Sequence, residues 1–462
     1  MPDTIAAQST AYGPAAIGIL RLSGPDAIAV VSRCFRPHSK KPLTAHPPRA
    51  LVYGQMLDVE GQVIDDCLCT YTPGPNSYTG EDTAELQCHG SPMVLTLGLE
   101  SLFAAGARQA TAGEFTRRAF LNGRLDLAQA EAVGDLLEAR SREGARHAAG
   151  QLAGALSRKL GGVYSALLDI MAHFHAVLDY PDEDIDPFRM EELSVQLEAQ
   201  EHTLKALLST CRRGQMLTRG ITCAIVGKPN AGKSSLLNAL AGYERAIVTA
   251  IPGTTRDTID VNAQIGGLPF RFVDTAGLRD SDDPIEQMGV ERSRTAMESA
   301  ELIMVVCDGS QGMGAEEVEL LKQSLKIADT ILVWNKTDLK CTSAPVGFLS
   351  PDCPHRLKCV EISAKTGEGL EALEGALQEF APLDMGQTGA YGELLTNQRQ
   401  EQAARRALES VQRAREALEL GVTPDALLTD VEGALEAVGE LTGQSVREDI
   451  TQRIFARFCV GK

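Results

Sequence analysis

The sequence predicts a multidomain protein with three parts: an α+β N-terminal domain, an all-α helical domain, and an α/β domain inserted into the helical one. Short apolar runs between Pro- and Gly-rich turns fill residues 1–120, whereas leucines and alanines recur at three-to-four spacing over 125–210 and again after 393. Between these helical stretches, strands alternate with helices over about 218–380, as a mainly parallel sheet requires.

In the N-terminal part, β-like runs cover residues 17–22, 67–71 and 84–89, and a helical stretch covers 91–105. In the first helical part, apolar side chains fall on one face of a long helix. These are Leu152, Leu156, Leu160, Tyr164 and Leu167. The acidic break at 179–184 predicts an exposed helix-capping loop, with a functional role as the alternative.

The helical stretches 393–420 and 425–441 each present an apolar stripe that must be buried. Packing them against the helices of 125–210 is the simplest solution, and it makes the central domain an insertion joined by two linkers. It also returns the C-terminal tail towards the N-terminal domain. The expected domains are therefore residues 1–120, 121–217, 218–380 and 381–462.

The most informative motif runs from Gly227 to Ser234 and fits the phosphate-binding loop pattern G-x-x-x-x-G-K-[ST]. A strand is predicted before it at 221–226 and a helix from 235 onwards, which is the setting that the motif needs. Glycines let successive backbone N–H groups point at phosphate oxygens. Lys233 is expected to reach the β- and γ-phosphates, and the Ser234 hydroxyl to bind Mg²⁺. A simple Gly-rich turn is the alternative.

Three further boxes follow in the order that a GTPase needs. The Asp274-Thr275-Ala276-Gly277 box ends a strand, so Asp274 can hold a magnesium-bound water and the Gly277 N–H can meet the γ-phosphate. The box from Asn335 to Asp338 has the guanine-reading pattern N-K-x-D, and residues 363–365 have the pattern of the loop that closes over the base. Together the boxes predict a P-loop GTPase domain of Ras-like fold.

The nucleotide is expected to be GTP rather than ATP. Asp338 would accept hydrogen bonds from the guanine N1–H and exocyclic amine, which adenine cannot supply. A buried carboxylate left without those partners penalises the wrong base.

Residues 253–257 occupy the place of a first switch, with Thr255 as a candidate for the second magnesium-binding hydroxyl. A polar surface turn is the alternative. The residue after Gly277 is Leu278 and not the glutamine that orients the attacking water in many GTPases. Glu286 is a candidate for that role, and a solvated or helix-capping residue is the equal alternative.

The composition narrows the class of protein. A net charge of −18 argues against a generic nucleic-acid coat protein, because phosphate repels an acidic surface. No signal peptide and no apolar run near the roughly 20 residues of a membrane helix is found. Eleven cysteines, an odd number, suit a reducing cytosol, so a cytoplasmic protein without a membrane anchor is expected. The pairs Cys67/Cys69 and Cys353/His355 are better explained as packed thiols and surface residues than as zinc ligands.

The motifs at both ends resemble one family. Residues 17–24, 73–82 and 113–123, with the terminal run Phe458-Cys459-Val460-Gly461-Lys462, resemble the tRNA-modification GTPases of the MnmE (TrmE) family over essentially the whole chain. The resemblance implies that the protein installs a carboxymethylaminomethyl or aminomethyl group on the wobble uridine of certain tRNAs. It implies a homodimer and a heterotetramer with MnmG, the partner that uses FAD and NADH.

The resemblance also implies two sets of ligand contacts. A tetrahydrofolate derivative (5,10-methylenetetrahydrofolate, or 5-formyltetrahydrofolate as its analogue) would contact Arg21, Glu85, Arg124 and Lys462, with Arg124 where the family commonly has lysine. A potassium ion would replace an arginine finger, bound by Asn230, Thr249, Ile251 and Thr254. Glu286 matches the water-orienting glutamate, and Cys459 is either a reactive thiol or a packing residue.

Taken together, the boxes and the resemblance predict nucleotide contacts from five segments. These are Asn230, Ala231, Gly232, Lys233, Ser234 and Ser235; Thr249, Ala250, Ile251, Pro252, Gly253, Thr254 and Thr255; Asp274, Thr275, Ala276 and Gly277; Asn335, Lys336 and Asp338; and Ser363, Ala364 and Lys365.

Two other functions compete with an enzyme of tRNA modification. One is a GTP-controlled binding protein such as a ribosome-assembly factor, although such factors usually append basic RNA-binding modules. The other is an independent folate-dependent transferase with a regulatory GTPase domain. The acidic chain could still meet tRNA through a local basic patch, or arrive with a basic partner. Candidates for such a patch, each also explicable as a solvated surface residue, are Arg117, Arg118, Arg124, Arg212 and Arg213.

Overall fold

The computed structural model describes residues 3–179, 190–242, 260–274, 296–340, 355–380, 391–421, 424–444 and 461. The chain divides into two compact units. The first comprises Met1–Gly134, Gln151–His202 and Ala403–Lys462, and the second comprises Asp135–Gly150 and Thr203–Gln402. The long segment of the second unit therefore lies, along the chain, between two segments of the first.

A seven-stranded sheet forms the N-terminal part of the first unit. Its spatial order is β3-β4-β5-β6-β2-β1-β7, antiparallel except for the parallel pair β1 and β7. The strands are β1 Ile5–Gln8, β2 Ala15–Ser23, β3 Phe35–Pro37, β4 Val52–Leu57, β5 Val63–Thr72, β6 Thr83–Gly90 and β7 Arg108–Gln109. The helices are α1 Ala27–Cys34, α2 Pro92–Ala104 and α3 Glu114–Leu121, with a 3₁₀ turn at Leu43–Ala45.

Alternation along these strands places apolar side chains on one face, where α1 and α2 cover them. In β4, Val52 and Met56 are buried while Tyr53 is exposed. Leu20 and Leu86 on the neighbouring strands β2 and β6 are fully buried in the same core. The β-like runs and the helix expected from the sequence are confirmed here.

Five helices follow among the described residues, and two more are described near the C-terminal end. They are α4 Leu127–Glu138, α5 Arg142–Leu152, α6 Ala155–Asp179, α7 Met190–Ser209 and α8 Cys211–Arg219, and later α12 Gln398–Glu419 and α13 Pro424–Thr442. The element α13 packs along α6. Leu156, Leu160 and Leu167 of α6 are fully buried and Tyr164 is half-buried, so this part of the expected stripe is confirmed. The placement of Leu152 on the same helix is wrong: Leu152 ends α5, and Gly154, with a φ of 83°, separates α5 from α6.

A six-stranded sheet lies in the second unit, in the order β13-β12-β11-β8-β10-β9. Only the hairpin partner β9 runs antiparallel to its neighbour. The strands are β8 Ile221–Val226, β9 Asp260–Ile265, β10 Leu268–Asp274, β11 Leu302–Asp308, β12 Asp329–Asn335 and β13 Leu357–Glu361, and the helices are α9 Lys233–Gly242, α10 Ala315–Ile327 and α11 Leu370–Phe380.

Helices cover both faces of this sheet, as a parallel sheet requires. Leucines of α9 and α11 join one core with the alternate strand residues Ile225 and Met304, and leucines of α10 join the other core with Ala224 and Val305. The carboxyl ends of β8, β10, β11 and β12 therefore meet at one edge, which is where an open α/β sheet binds its ligand. The fold class expected from the sequence is confirmed.

Candidate nucleotide site

The phosphate-binding loop joins β8 to α9 at that edge, as expected. Gly227 and Gly232 have φ angles of 151° and 96°, in the region that favours glycine. A Cβ at Gly227 would clash with the carbonyl oxygen of Val306, and a Cβ at Gly232 with Asn335 Nδ2. The loop can therefore lie this close to β11 and to Asn335 only because both positions lack side chains.

Lys233, the first residue of α9, is buried beneath this loop. Its Nζ donates to the carbonyl oxygens of Gly227, at 2.7 Å, and of Lys228, at 2.8 Å. The ammonium is therefore held against the loop at the positive end of a helix, which is where a phosphate would bind. Ser234 and Ser235 follow in the first turn, half-buried and exposed respectively.

Two more predicted residues flank the loop. Asn230 is exposed and has a φ of 63°, which is uncommon for a residue other than glycine. The backbone of Asp274 pairs with Ile225 in the parallel register of β10 and β8, so Asp274 ends its strand beside the strand that enters the loop.

Asn335 joins three of the predicted segments. Its Nδ2 donates to the carbonyl oxygen of Ala231 at 2.9 Å. Its Oδ1 accepts the backbone N–H of Lys336 at 2.8 Å and that of Ala364 at 3.0 Å. This buried amide fastens the guanine box to the phosphate loop and to the base-closing loop.

The base-reading carboxylate is positioned from the same loops. Asp338 is exposed, and its Oδ1 accepts the hydroxyl of the buried Ser363 at 2.7 Å. Ser363 Oγ in turn accepts the N–H of Thr366 at 3.2 Å. These two hydrogen bonds orient the Oδ1 atom of Asp338. Lys365 lies exposed on the same loop.

Sequence reasoning missed Asp308, which ends β11. Its Oδ2 lies 2.7 Å from Nζ of Lys336, the lysine of the guanine box. Burial alone would raise the pKa of Asp308, but hydrogen bonds from Lys336 and Ser310 hold this pKa below its ordinary value. Asp308 therefore stays ionised and fixes Lys336. Its place at the carboxyl end of a central parallel strand was the available signal.

Sequence reasoning also missed the partners of Lys228, the first variable residue of the phosphate loop. Its Nζ lies 3.1 Å from Glu316 and 3.0 Å from Glu317, at the start of α10. Hydrogen bonds to Glu317 and then to Glu316 raise the pKa of Lys228. These contacts connect the loop to α10, and the local sequence of neither element predicts them.

The residues expected at the folate site lie in the first unit. Arg21 and Glu85 face each other across β2 and β6, with Arg21 Nε 2.8 Å from Glu85 Oε1. The Arg21 guanidinium also lies 5.9 Å from the ring centre of Phe115. Arg124 is exposed.

The C-terminal tail reaches the neighbouring strand. Ser9 Oγ donates to the carbonyl oxygen of Gly461 at 3.0 Å, and Gly461 lies against the backbone of Gln8. In β1, Ala7 pairs with Arg21 and Gln8 with Leu20. The tail thus comes to the strand that adjoins Arg21, as the helical packing argument expected.

Several predicted site residues lie outside the described residues. They are Thr249, Ala250, Ile251, Pro252, Gly253, Thr254, Thr255, Thr275, Ala276, Gly277, Glu286, Cys459 and Lys462, together with Cys353. Within the described part of the chain, no cluster of three or more His, Cys, Asp or Glu side chains could hold a metal ion. Cys67 and Cys69 are buried and free, as a packing role requires. None of the described helices is long and apolar enough to cross a membrane.

Comparison with known proteins agrees with this geometry. Residues 4–124 match the family model described as GTP-binding protein TrmE N-terminus, and residues 127–459 match the MnmE helical domain. A protein named tRNA modification GTPase MnmE from Chloroflexus aurantiacus is 43% identical, and its counterparts from Symbiobacterium thermophilum and Alkaliphilus metalliredigens are each 42% identical. Each alignment covers 100% of this chain and at least 99% of the relative. The chain therefore belongs to the MnmE family of tRNA modification GTPases.

Proposed function

We propose that the chain is a potassium-dependent GTP hydrolase that acts with MnmG on the wobble uridine of certain tRNAs. The product would carry a carboxymethylaminomethyl or aminomethyl group at C5, built with a tetrahydrofolate-derived one-carbon unit. GTP hydrolysis would drive dimerisation of the GTPase domains and a conformational change. The observation that carries the GTPase part is the side chain of Asn335, which links the phosphate loop, the guanine box and the base-closing loop.

The described residues fit a nucleoside triphosphate. The phosphate loop has glycine at both positions where a side chain would clash, Gly227 and Gly232. Lys233 supplies a positive charge, and the start of α9 supplies backbone N–H groups. Asp338 faces the solvent with one carboxylate oxygen held by Ser363, so it is prepared to accept the N–H groups of guanine. These features support GTP as the substrate.

Two cations would assist at the phosphates. Mg²⁺ would be held by Ser234 and Thr255, and K⁺ by Asn230, Thr249, Ile251 and Thr254. When bound, such ions stabilise the charge that develops during phosphoryl transfer. The exposed, left-handed Asn230 supports the potassium assignment, because its amide offers a neutral oxygen at the rim of the loop. Glu286 would orient the attacking water.

The tetrahydrofolate derivative would be held by Arg21, Glu85, Arg124 and Lys462, and it would supply the one-carbon unit. The approach of Gly461 to β1 supports this assignment, because it brings the tail beside the strand that carries Arg21. We further propose a cytoplasmic homodimer that assembles with MnmG.

The first test is GTP turnover by the full chain in KCl and in NaCl at equal ionic strength. We expect a potassium-specific rate gain of roughly a hundredfold. The variant Asn230→Ala should lose that gain, whereas Asn238→Ala, an exposed asparagine on α9, should keep it. Lys233→Ala should abolish turnover in both salts. Equal rates in KCl and NaCl would remove the potassium mechanism and leave a GTPase that needs an external activator.

The competing function is a GTP-timed binding protein without a role in the chemistry on the base. Equilibrium binding of 5-formyltetrahydrofolate to the full chain separates the two, with Arg21→Ala as the comparison. Binding that Arg21→Ala weakens, together with tRNA modification that requires MnmG, supports the enzyme. Absence of folate binding by a chain that hydrolyses GTP would favour the binding protein. Modification without MnmG would favour an independent transferase.

A further inference from the structure

One segment of this acidic protein is basic. The protein carries a net charge of −18, yet residues 27–57 contain no Asp or Glu. The same stretch holds five Lys or Arg residues and two histidines. These are Arg33, Arg36, Lys40, Lys41, Arg49, His38 and His46. A basic segment in an acidic protein indicates a surface for an anionic partner.

The fold collects most of this charge at one edge of the N-terminal sheet. Arg36 lies on the edge strand β3, opposite Gln55 of β4, and its Nη2 donates to Gln55 Oε1 at 3.2 Å. Strand alternation makes Arg36 and Tyr53 exposed while their neighbours are buried. Lys40, Lys41 and Arg49 follow in the connection from β3 to β4, and all three are exposed.

This connection is anchored. Leu43 is buried in the domain core, and the hydroxyl of Tyr71 donates to the carbonyl oxygen of His46 at 2.7 Å. The N–H of Arg49 donates to the carbonyl oxygen of Tyr71 at 2.8 Å. Because its backbone is fixed from both ends, the loop presents its basic side chains with little loss of backbone entropy on binding.

An aromatic pair stands beside the charges. The rings of His38 and Tyr53 are 4.6 Å apart, and the Tyr53 side chain is exposed. Asp66 is the nearby carboxylate, and it lies 3.0 Å from His38 Nε2. Among the described residues, no ion pair is found between a carboxylate and Arg36, Lys40, Lys41 or Arg49. The described carboxylates therefore leave their charge unneutralised.

We propose that this surface, formed by Arg36, Lys40, Lys41, Arg49 and Tyr53, contacts the phosphate backbone of the tRNA. The inference rests on the proposed function, because that function requires an RNA contact on an acidic chain. Basic side chains bind phosphate oxygens, and an exposed ring stacks on an unpaired base. The ring favours RNA over an anionic membrane.

Arg118, a candidate from the sequence, does not serve this purpose. Its guanidinium lies 3.0 Å from Glu81 and 3.0 Å from Glu114, and its side chain is 11% exposed. Asp3 Oδ1 lies 2.8 Å away as well, so three carboxylates already neutralise Arg118. The basic surface therefore lies around β3, where sequence reasoning did not look.

The test measures binding of a tRNA transcript to the full-length protein by fluorescence anisotropy over a range of KCl concentrations. We expect the double variant Lys40→Ala/Lys41→Ala to bind about tenfold more weakly at moderate salt. The slope of log K against log salt should fall by roughly 1 to 2, since each lost phosphate contact removes slightly less than one unit. The variant Tyr53→Ala should weaken binding without changing the slope, because stacking releases no counterion.

The matched control is Lys322→Ala/Lys326→Ala, which removes the same charge from the exposed face of α10. It should bind tRNA like the wild type. Equal loss in control and test variants would mean that only net charge matters, and wild-type binding by the test variant would overturn the proposal. The proposal would also be overturned if Lys40→Ala/Lys41→Ala lost binding to phosphatidylserine vesicles but still bound tRNA like the wild type.

GTP turnover is measured on every variant and separates the two proposals. Unchanged turnover shows that the GTPase domain is intact, and an unchanged thermal unfolding curve shows that the first unit, which carries Lys40, Lys41 and Tyr53, remains folded. A wild-type protein that hydrolyses GTP but does not bind tRNA overturns the surface and leaves the GTPase proposal standing. A wild-type protein that binds tRNA through Lys40 and Lys41 but does not hydrolyse GTP overturns the GTPase proposal and leaves the surface standing.

Discussion

A buried histidine makes the stability of the second unit depend on pH. His147 of α5 is 2% exposed, and its Nε2 accepts the backbone N–H of Leu394 at 3.1 Å. Burial, and secondarily the charge of Arg213, lowers the pKa of His147 from 6.5 to about 4. The neutral ring is therefore part of the fold, because a protonated Nε2 could no longer accept that hydrogen bond.

The sign of the effect follows from the two pKa values. Between about pH 6.5 and pH 4 the unfolded chain binds a proton at His147 that the folded chain excludes. The contribution of His147 to the free energy of unfolding is therefore complete above the pKa of the unfolded chain, and it is lost as the pH falls towards the pKa of the folded chain. From pH 7.5 to pH 5.5 the expected loss from this one group is about 1.3 kcal/mol. The two pH values, 7.5 and 5.5, both lie above the sequence pI of about 5.0.

The assay compares the wild type with His147→Gln, whose side-chain carbonyl can accept the same N–H but does not titrate. Trp334 is the single tryptophan of the chain, is 1% exposed and lies in the same unit, so its fluorescence follows denaturant unfolding there. Carboxylates titrate equally in both proteins and cancel in the difference. The wild type should lose about 1.3 kcal/mol more than the variant between the two pH values. Equal losses would refute the assignment of a depressed pKa to His147.

Three further perturbations test other contacts. Gly214→Ala should destabilise the second unit by about 2 kcal/mol because its methyl would clash with a backbone carbonyl, whereas the helical Gly375→Ala, with open space around it, should gain up to ~1 kcal/mol. Asp338→Asn should lower kcat/KM for GTP roughly a hundredfold and favour XTP, whose C2 carbonyl accepts from an amide. Glu201→Gln should cost about 2 kcal/mol in thermal unfolding by leaving Arg415, now 2.8 Å away, without its carboxylate.

Each of these has a clear contrary outcome. If Gly214→Ala were as stable as the glycine control variant, the close approach at that helix would be wrong. If Asp338→Asn kept its preference for GTP, the base would be read elsewhere. If Glu201→Gln melted like the wild type, the ion pair with Arg415 would contribute nothing measurable to stability, even though Glu201 is buried.

Local patterns predicted the strand and the backbone conformation of the phosphate loop well, because one segment carries both the residues and the geometry. The strand expected at 221–226 is β8, and the loop glycines have the positive φ angles that their pattern implies. Asn335 ends β12 and Ser363 follows β13, and parallel strands bring their ends to one edge of the sheet. A short motif with a fixed backbone conformation is therefore readable without any tertiary information.

Contacts between distant segments could not be predicted in this way. Lys228 and Glu317 are surface-type residues in two separate elements, and only the packing of α10 beside the loop makes them partners. Gly214 interrupts an otherwise ordinary helix, and its reason lies in the backbone of Leu395, which crosses it closely. Periodicity describes which face of a helix is buried but not which segment covers it.

The segment that leaves the inserted domain shows how these distant contacts act together. Leu394 donates to His147 of α5, and the N–H of Leu395 donates to Thr210 Oγ1 at 3.2 Å. The Thr396 hydroxyl donates to Asp135 at 3.0 Å. Three consecutive residues are thus hydrogen-bonded to α4, to α5 and to Thr210, the N-cap of α8, so a movement of this segment must break several hydrogen bonds together. Such an all-or-none attachment suits a two-state coupling between nucleotide and helices better than a flexible linker would, because a flexible linker would absorb the movement.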